Sequence, residues 1–199
     1  MIRGRPRAFD PDTALDRALD LFWRKGYDGT SLSDLTEAMG INRPSLYSAF
    51  GDKKALFFKV LDRYLSGPAA GLLGAVEDGI PAREAVASLL NRAAERAEQP
   101  DRPAGCLLVH GALCGGEEAE EVQAELARRR AAVEVALRCR LNRARESGEL
   151  PPDADADALA KFFTTVQQGM AVQARSGASA AELRVVAATA MAAWPGKAS

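Results

Sequence analysis

The stretch TSLSDLTEAMGINRPSLYSAFGDKK, residues 30–54, decides the fold. Leu32, Leu35 and Met39 fall at helical spacing, and the pattern stops at Gly40, a residue that tolerates the left-handed conformation closing a helix. Ser31 and Asp34 form an S-x-x-D start: the serine oxygen accepts from a free backbone N–H, and the carboxylate favours the positive helix end. The spacing predicts a helix over 31–39. After the turn, Asn42 suits a cap and Pro44 a first helical turn whose N–H groups have no partner anyway. Leu46, Ala49 and Phe50 then point one way, leaving Arg43, Ser45, Tyr47 and Ser48 on other, polar faces. Two short helices, a tight turn and an exposed polar surface make the layout of a DNA-reading helix-turn-helix.

An α-helix fits the major groove and presents its N-terminal residues to base edges while its neighbours touch the backbone. Arg43 is the best single base reader, since a bidentate bond to guanine is worth roughly 1–3 kcal/mol of discrimination. The alternative is that the G-x-x-R-P-S turn merely joins two helices of an ordinary bundle. The surroundings favour the first reading. Asp10-Pro11 starts an earlier helix with Leu15, Ala18, Leu19 and Phe22 as its buried stripe and Gly26 as its stop. Asp52 caps a later one carrying Leu56, Phe57, Val60, Leu61, Tyr64 and Leu65, so two flanking helices supply a core. Ahead lies an arm with Arg3, Arg5 and Arg7, which reads either as a groove- or phosphate-reaching segment or as a disordered start.

These residues carry a resemblance. RGRPR, the run ALDRALDLFWRKGYDGTSLSDLTEAMGI, and RPSLYSAFGDKKALF are similar to the N-terminal DNA-binding domain of the TetR family of transcriptional regulators, over about a third of the chain. The resemblance implies an all-α homodimer, each subunit with a three-helix DNA-binding head and a larger helical ligand-binding and dimerisation domain. It implies phosphate contacts at Tyr47 and Lys53, backbone contacts from Thr30 and Ser31, and base contacts from Arg43, Pro44 and Ser45, with Ser33 as a further base-contact candidate and Ser48 on the same surface. Ala49 is a departure, because many relatives carry an aromatic residue or histidine there. The division expected is an arm and helix-turn-helix over 1–51 and a ligand-binding and dimerisation domain over 52–199.

Composition agrees. At 199 residues with 47% hydrophobic content, the chain is long enough for one or two cores. No apolar h-region follows the basic arm and no run approaches the roughly 18 apolar residues of a membrane span, so no membrane partner and a cytoplasmic location are expected. Net charge is −1, which disfavours a generic polyanion binder; the positive charge must be local, on the arm, Arg43, Lys53 and Lys54. Three cysteines without C-x-x-C spacing suggest neither a disulfide framework nor a zinc site, and no cofactor or metal is expected.

Beyond residue 65 the pattern remains helical. Ser66-Gly67-Pro68 predicts a break, Pro81 opens a helix to Glu98, Gly105–Cys114 reads as a short apolar helix, and Glu117–Glu146 as a long one with Glu125/Arg129 and Glu134/Arg138 pairs on a solvated face. Two final helices are expected near 155–175 and 179–194. Their apolar stripes need partners. In the family the last two helices form an intersubunit four-helix bundle, and the resemblance puts Phe163, Val166, Met170, Leu183, Val186, Ala190, Met191 and Trp194 at a dimer interface. An intramolecular core is the competing reading.

Cys106, His110 and Cys114 fall at i, i+4 and i+8. Over about 12 Å of helix the two sulfurs are too far apart for one metal ion or a disulfide. Two readings remain: a small buried hydrophobe with a satisfied histidine, or a thiol activated by a helix start and a protonated His110. The Gly-Cys-Leu-Leu start resembles TetR-like regulators that include electrophile-responsive members. A pocket for an unidentified small-molecule effector draws on Tyr64, Cys106, His110, Phe162 and Gln167. The function expected is a ligand-responsive homodimeric repressor of a palindromic double-stranded DNA operator, with a thiol-sensing repressor acting through Cys106 as the alternative. A helical cysteine enzyme is the remote third: there is one histidine, and neither an orienting third residue nor a phosphate loop is identifiable.

Overall fold

The computed structural model describes residues 9–70, 79–99, 101–111 and 119–196, and its regular structure there is helical. In chain order the helices are α1 (Pro11–Lys25), α2 (Leu32–Met39), α3 (Arg43–Phe50), α4 (Lys53–Ser66), α5 (Ala82–Glu95) with a 3-10 turn at Arg96–Glu98, α6 (Leu107–His110), α7 (Glu120–Glu146), α8 (Ala156–Arg175) and α9 (Ala180–Met191). Arg3, Arg5, Arg7 and Cys114 lie outside the described residues.

Local chemistry sets the boundaries of the head. The Asp10 carboxylate accepts from the N–H groups of Asp12 and Thr13, with Pro11 opening α1. Ser31 and Asp34 form a reciprocal capping box, and Gly40 closes α2 in the left-handed conformation at φ 68°. Asn42 accepts from Ser45 N–H at 2.9 Å and Asp52 from Ala55 N–H at 2.7 Å. Each such cap is worth about 1 kcal/mol.

One hydrophobic cluster runs through the molecule. In the head, Ala18, Phe22, Leu35, Met39, Leu46 and Phe50 pack against Leu56, Phe57 and Val60 of α4. In the body, α5, α7, α8 and α9 pack together, and α6 touches α1, α4, α7 and α8. Burying this apolar surface is the main drive for the arrangement. Among the described residues no helix is long and apolar enough to cross a membrane.

Three expectations are corrected. The short apolar helix is a single turn, because Gly105 takes φ 86° and Cys106 is extended at its cap; the residues toward Cys114 are outside the described set. The last helix ends at Met191 rather than 194. Glu125 and Arg129 pair at 2.6 Å as expected, but both are largely shielded, and Arg129 also reaches Asp62 of α4 at 2.7 Å. Glu134 and Arg138 do not pair with each other. They bridge to α8 through Lys161 at 2.6 Å and Asp157 at 3.4 Å, so that charged face fastens two helices.

Candidate nucleic-acid interface

The doubly capped α2–turn–α3 unit leaves Arg43, Pro44, Tyr47 and Ser48 exposed, with Leu46 and Phe50 buried beneath them. Ser31 and Ser33 are exposed on the neighbouring helix and Ser45 is half-buried. Arg43 does not wave freely: its Nη2 donates to the Ser33 hydroxyl at 3.0 Å. Thr30 is a correction. It is fully buried and its hydroxyl donates to the Gly26 carbonyl at 2.6 Å, so its side chain closes the α1–α2 turn instead of facing a nucleic acid.

The two lysines at the start of α4 differ. Lys53 lies over the Tyr27 ring, 4.3 Å from its centroid, a cation–π placement that holds the ammonium at the edge of the head. Lys54 is instead drawn to Glu121 of α7 at 2.5 Å, which raises its pKa and removes it from the local positive surface. Asp34, accepting from the N–H and hydroxyl of Ser31 and facing Lys25, has its carboxyl pulled down to about 2.

The head meets the body through aromatic and backbone contacts. Trp23 of α1 stacks edge-on against Tyr64 of α4 at 4.9 Å, and Phe22 and Tyr27 do the same to Phe57 at 4.9 and 5.2 Å. Tyr27 N–H donates to the Gly111 carbonyl at 2.7 Å.

Of the effector candidates, Tyr64 and Cys106 are brought together. Both are buried, Cys106 beside the Tyr64 phenol, and the Tyr64 hydroxyl accepts from Arg96 at 3.5 Å. Burial, and then the neighbouring Cys106, push the phenol up. His110 is turned elsewhere. Its Nε2 bonds the Ala171 carbonyl at 3.0 Å, and burial lowers its pKa. This contact also explains Gly105, where a Cβ would stand 2.5 Å from His110 Nε2 and 2.9 Å from the Ala171 oxygen. Gln167 is buried on α8. Phe162 is a correction: it is 40% exposed and faces outward.

Phe162 instead lines an outward apolar groove with Val166, Val185, Val186, Thr189 and Ala190 on α8 and α9, about 280 Å³ in volume. Val185 and Val186 are 66% and 43% exposed. Three interface candidates are corrected by the same geometry. Phe163, Met170 and Leu183 are at most 1% exposed and belong to the subunit's own core. Trp194 packs against Phe163 at 5.9 Å, and Met191 borders a separate cleft beside Glu149 and Trp194.

Sequence reasoning missed the roles of buried or part-buried arginines in the body, Arg140 and Arg96 among them. Arg140 donates to the Ile80 carbonyl at 2.8 Å and pairs with Glu149 at 3.2 Å, whose other oxygen caps Ala82 N–H. Arg96 reaches both Tyr64 and the Pro68 carbonyl. Nothing in periodicity distinguishes such arginines from solvated ones.

A capped helical pair presenting an arginine-led polar surface, set on a separate helical body, defines a helix-turn-helix transcriptional regulator. The chain belongs to the TetR family: residues 14–60 match the model for bacterial regulatory proteins of the tetR family, and residues 82–190 the tetracyclin repressor-like C-terminal domain. It is 38% identical over 196 residues to the HTH-type transcriptional repressor ComR of Escherichia coli (strain K12), covering 97% of this chain and 92% of that one. Identity to the HTH-type transcriptional repressor BdcR of the same strain is 33% over 189 residues, or 95% and 91% of the two chains. Among solved structures it is similar to the TetR family transcriptional regulator CifR, seen as a cysteine mutant with 26-bp double-strand operator DNA. That match has 43% identity, a TM-score of 0.92, and covers 96% of this chain and 100% of CifR.

Proposed function

We propose that the protein is a homodimeric, cytoplasmic repressor, not a catalyst, that binds a palindromic double-stranded DNA operator and is released by a small-molecule effector. The observation that carries this reading is the exposed Arg43-Pro44-Tyr47-Ser48 surface on a capped helix whose underside is locked into the core. Two such helices about a two-fold axis meet successive major grooves roughly 34–36 Å apart. ComR and BdcR being repressors supports the direction of regulation. The head is taken as 1–51 and the body as 52–199, with α4 as the lever between them. An effector weakens DNA binding only by favouring a different spacing of the heads, and a tenfold effect needs about 1.4 kcal/mol of differential affinity.

The test is retention of short duplexes from beside the protein's own coding region, followed by selection from random-sequence DNA. A palindrome with half-sites one helical turn apart is expected. Recovery of no common sequence would overturn the reading.

A second reading is favoured by one placement, Cys106 buried beside Tyr64. Tyr64 lies on α4 and packs on Trp23 of α1, so a group added to the Cys106 sulfur would push directly on the lever. Operator release by a mild thiol-reactive electrophile should then disappear in Cys106→Ser. Unchanged release in that variant leaves a reversible effector as the signal.

A further inference from the structure

The end of α1 exchanges hydrogen bonds with the body. In an uninterrupted helix the Tyr27 N–H would bond the Trp23 carbonyl four residues back. Here it leaves the helix and donates to the Gly111 carbonyl at 2.7 Å. The Trp23 carbonyl is taken by Arg175 instead, whose Nη1 donates to it at 3.1 Å while Nη2 donates to the carbonyl of Arg24. One guanidinium fork therefore caps two carbonyls at the negative end of the α1 dipole, where a cation is favoured.

Arg175 is the last residue of α8. One turn earlier on the same helix, the Ala171 carbonyl holds His110, which adjoins Gly111. The contacts close a ring: α8 to α1 through Arg175, α1 to Gly111 through Tyr27, and His110 back to α8. Further along α8, about 13–20 Å from Arg175 at 1.5 Å per residue, Val166 and Phe162 form the outward groove. One rigid helix thus carries an apolar outer face at one end and the clamp on the DNA-binding head at the other.

We propose that Arg175 is a positioning residue that fixes the heading of the head relative to the subunit interface and so sets the half-site spacing the dimer accepts. The inference rests on reading the Phe162–Val186 groove as that interface. Losing the fork leaves the head attached by contacts that include the aromatic pairs, the Arg63–Asp16 ion pair and the Tyr27–Gly111 bond, but with a broader range of orientations. One base pair inserted between half-sites displaces them by about 3.4 Å, a change a well-held head penalises and a loose one tolerates.

The experiment uses the palindrome that wild-type protein recovers from random-sequence DNA. Binding is measured on that duplex, on duplexes with one or two base pairs added or removed between half-sites, and on a single half-site. Arg175→Ala should remain dimeric by sedimentation and bind the single half-site as wild type does. It should lose about tenfold on the native spacing, with discrimination against the misspaced duplexes shrinking by a similar factor. Arg175→Lys keeps the charge but not the fork and should fall between; it carries the same spacing ratio if the alanine variant does not fold. A spacing ratio unchanged from wild type, or an equal loss on the single half-site, overturns the role of Arg175. Separately, Phe162→Glu protein that stays fully dimeric would remove the interface reading, whatever Arg175 does.

Discussion

Arg43 Nη2 donates to Ser33 Oγ at 3.0 Å, tying the first residue of α3 to the second residue of α2. A free arginine side chain carries about 2 kcal/mol of rotamer entropy, and this bond removes part of that before any base is met. Arg43→Ala should lose roughly 1–3 kcal/mol on the selected operator and relax preference at one position in each half-site. Ser33→Ala should lose less, at that same position, and add nothing in the Arg43→Ala background. Additive losses would mean that Ser33 meets the DNA itself, and an equal loss for Arg43→Ala on random DNA would sink the base-reader assignment.

Lys53 stands apart from Lys54, because Lys53 lies over the Tyr27 ring at the head's edge whereas Lys54 is ion-paired to Glu121 of α7. Lys53→Ala should weaken binding to all sequences and flatten the dependence of log affinity on log salt by about one phosphate contact. Lys54→Ala should leave that slope unchanged. Equal slopes for the two variants would show that Lys53 neutralises no phosphate.

The head was legible in the sequence because its signals are local. Ser31, Asp34, Gly40, Asn42 and Asp52 act on backbone groups within three or four residues, so spacing alone reports them. The body was legible only as helices. Which face of α8 is inner depends on packing with α5, α7 and α9, and Phe162 and Phe163 are adjacent in sequence but opposite in burial. Thr30, polar and beside a helix start, reads as exposed until the turn from Gly26 is seen to need its hydroxyl. Arg175 and Arg96 take their meaning from carbonyls more than twenty residues away, beyond the reach of any periodicity.

That adjacency makes a paired prediction. Phe162→Glu or Val186→Asp puts a charge on the outward groove and should shift the dimer toward monomer with thermal stability of the isolated subunit nearly kept. Phe163→Ala opens a cavity inside the subunit and should cost about 3–5 kcal/mol, a fall in Tm on the order of 10 °C. Sedimentation and melting curves together decide. Monomers from Phe163→Ala at undiminished stability would reverse the assignment of the two faces.

Two carboxylates tie the stability of the fold to pH at the acid end. Asp34 is lowered to about 2 by the Ser31 N–H and hydroxyl and by Lys25, and Glu125 to about 2 by Arg128 and then Arg129, against ordinary values of 3.8 and 4.5. Between those limits the unfolded chain binds more protons than the folded one, so stability rises with pH there. Their contribution is complete above about pH 5 and lost as pH falls toward 2. Asp34 and its partner lysine are partly solvent-exposed, so screening should shrink its share in high salt. Asp34→Asn and Glu125→Gln should therefore melt below wild type at pH 6, with the curves converging toward pH 2. Melting curves that stay parallel across that range would show that neither carboxylate is held in its charged form by the fold.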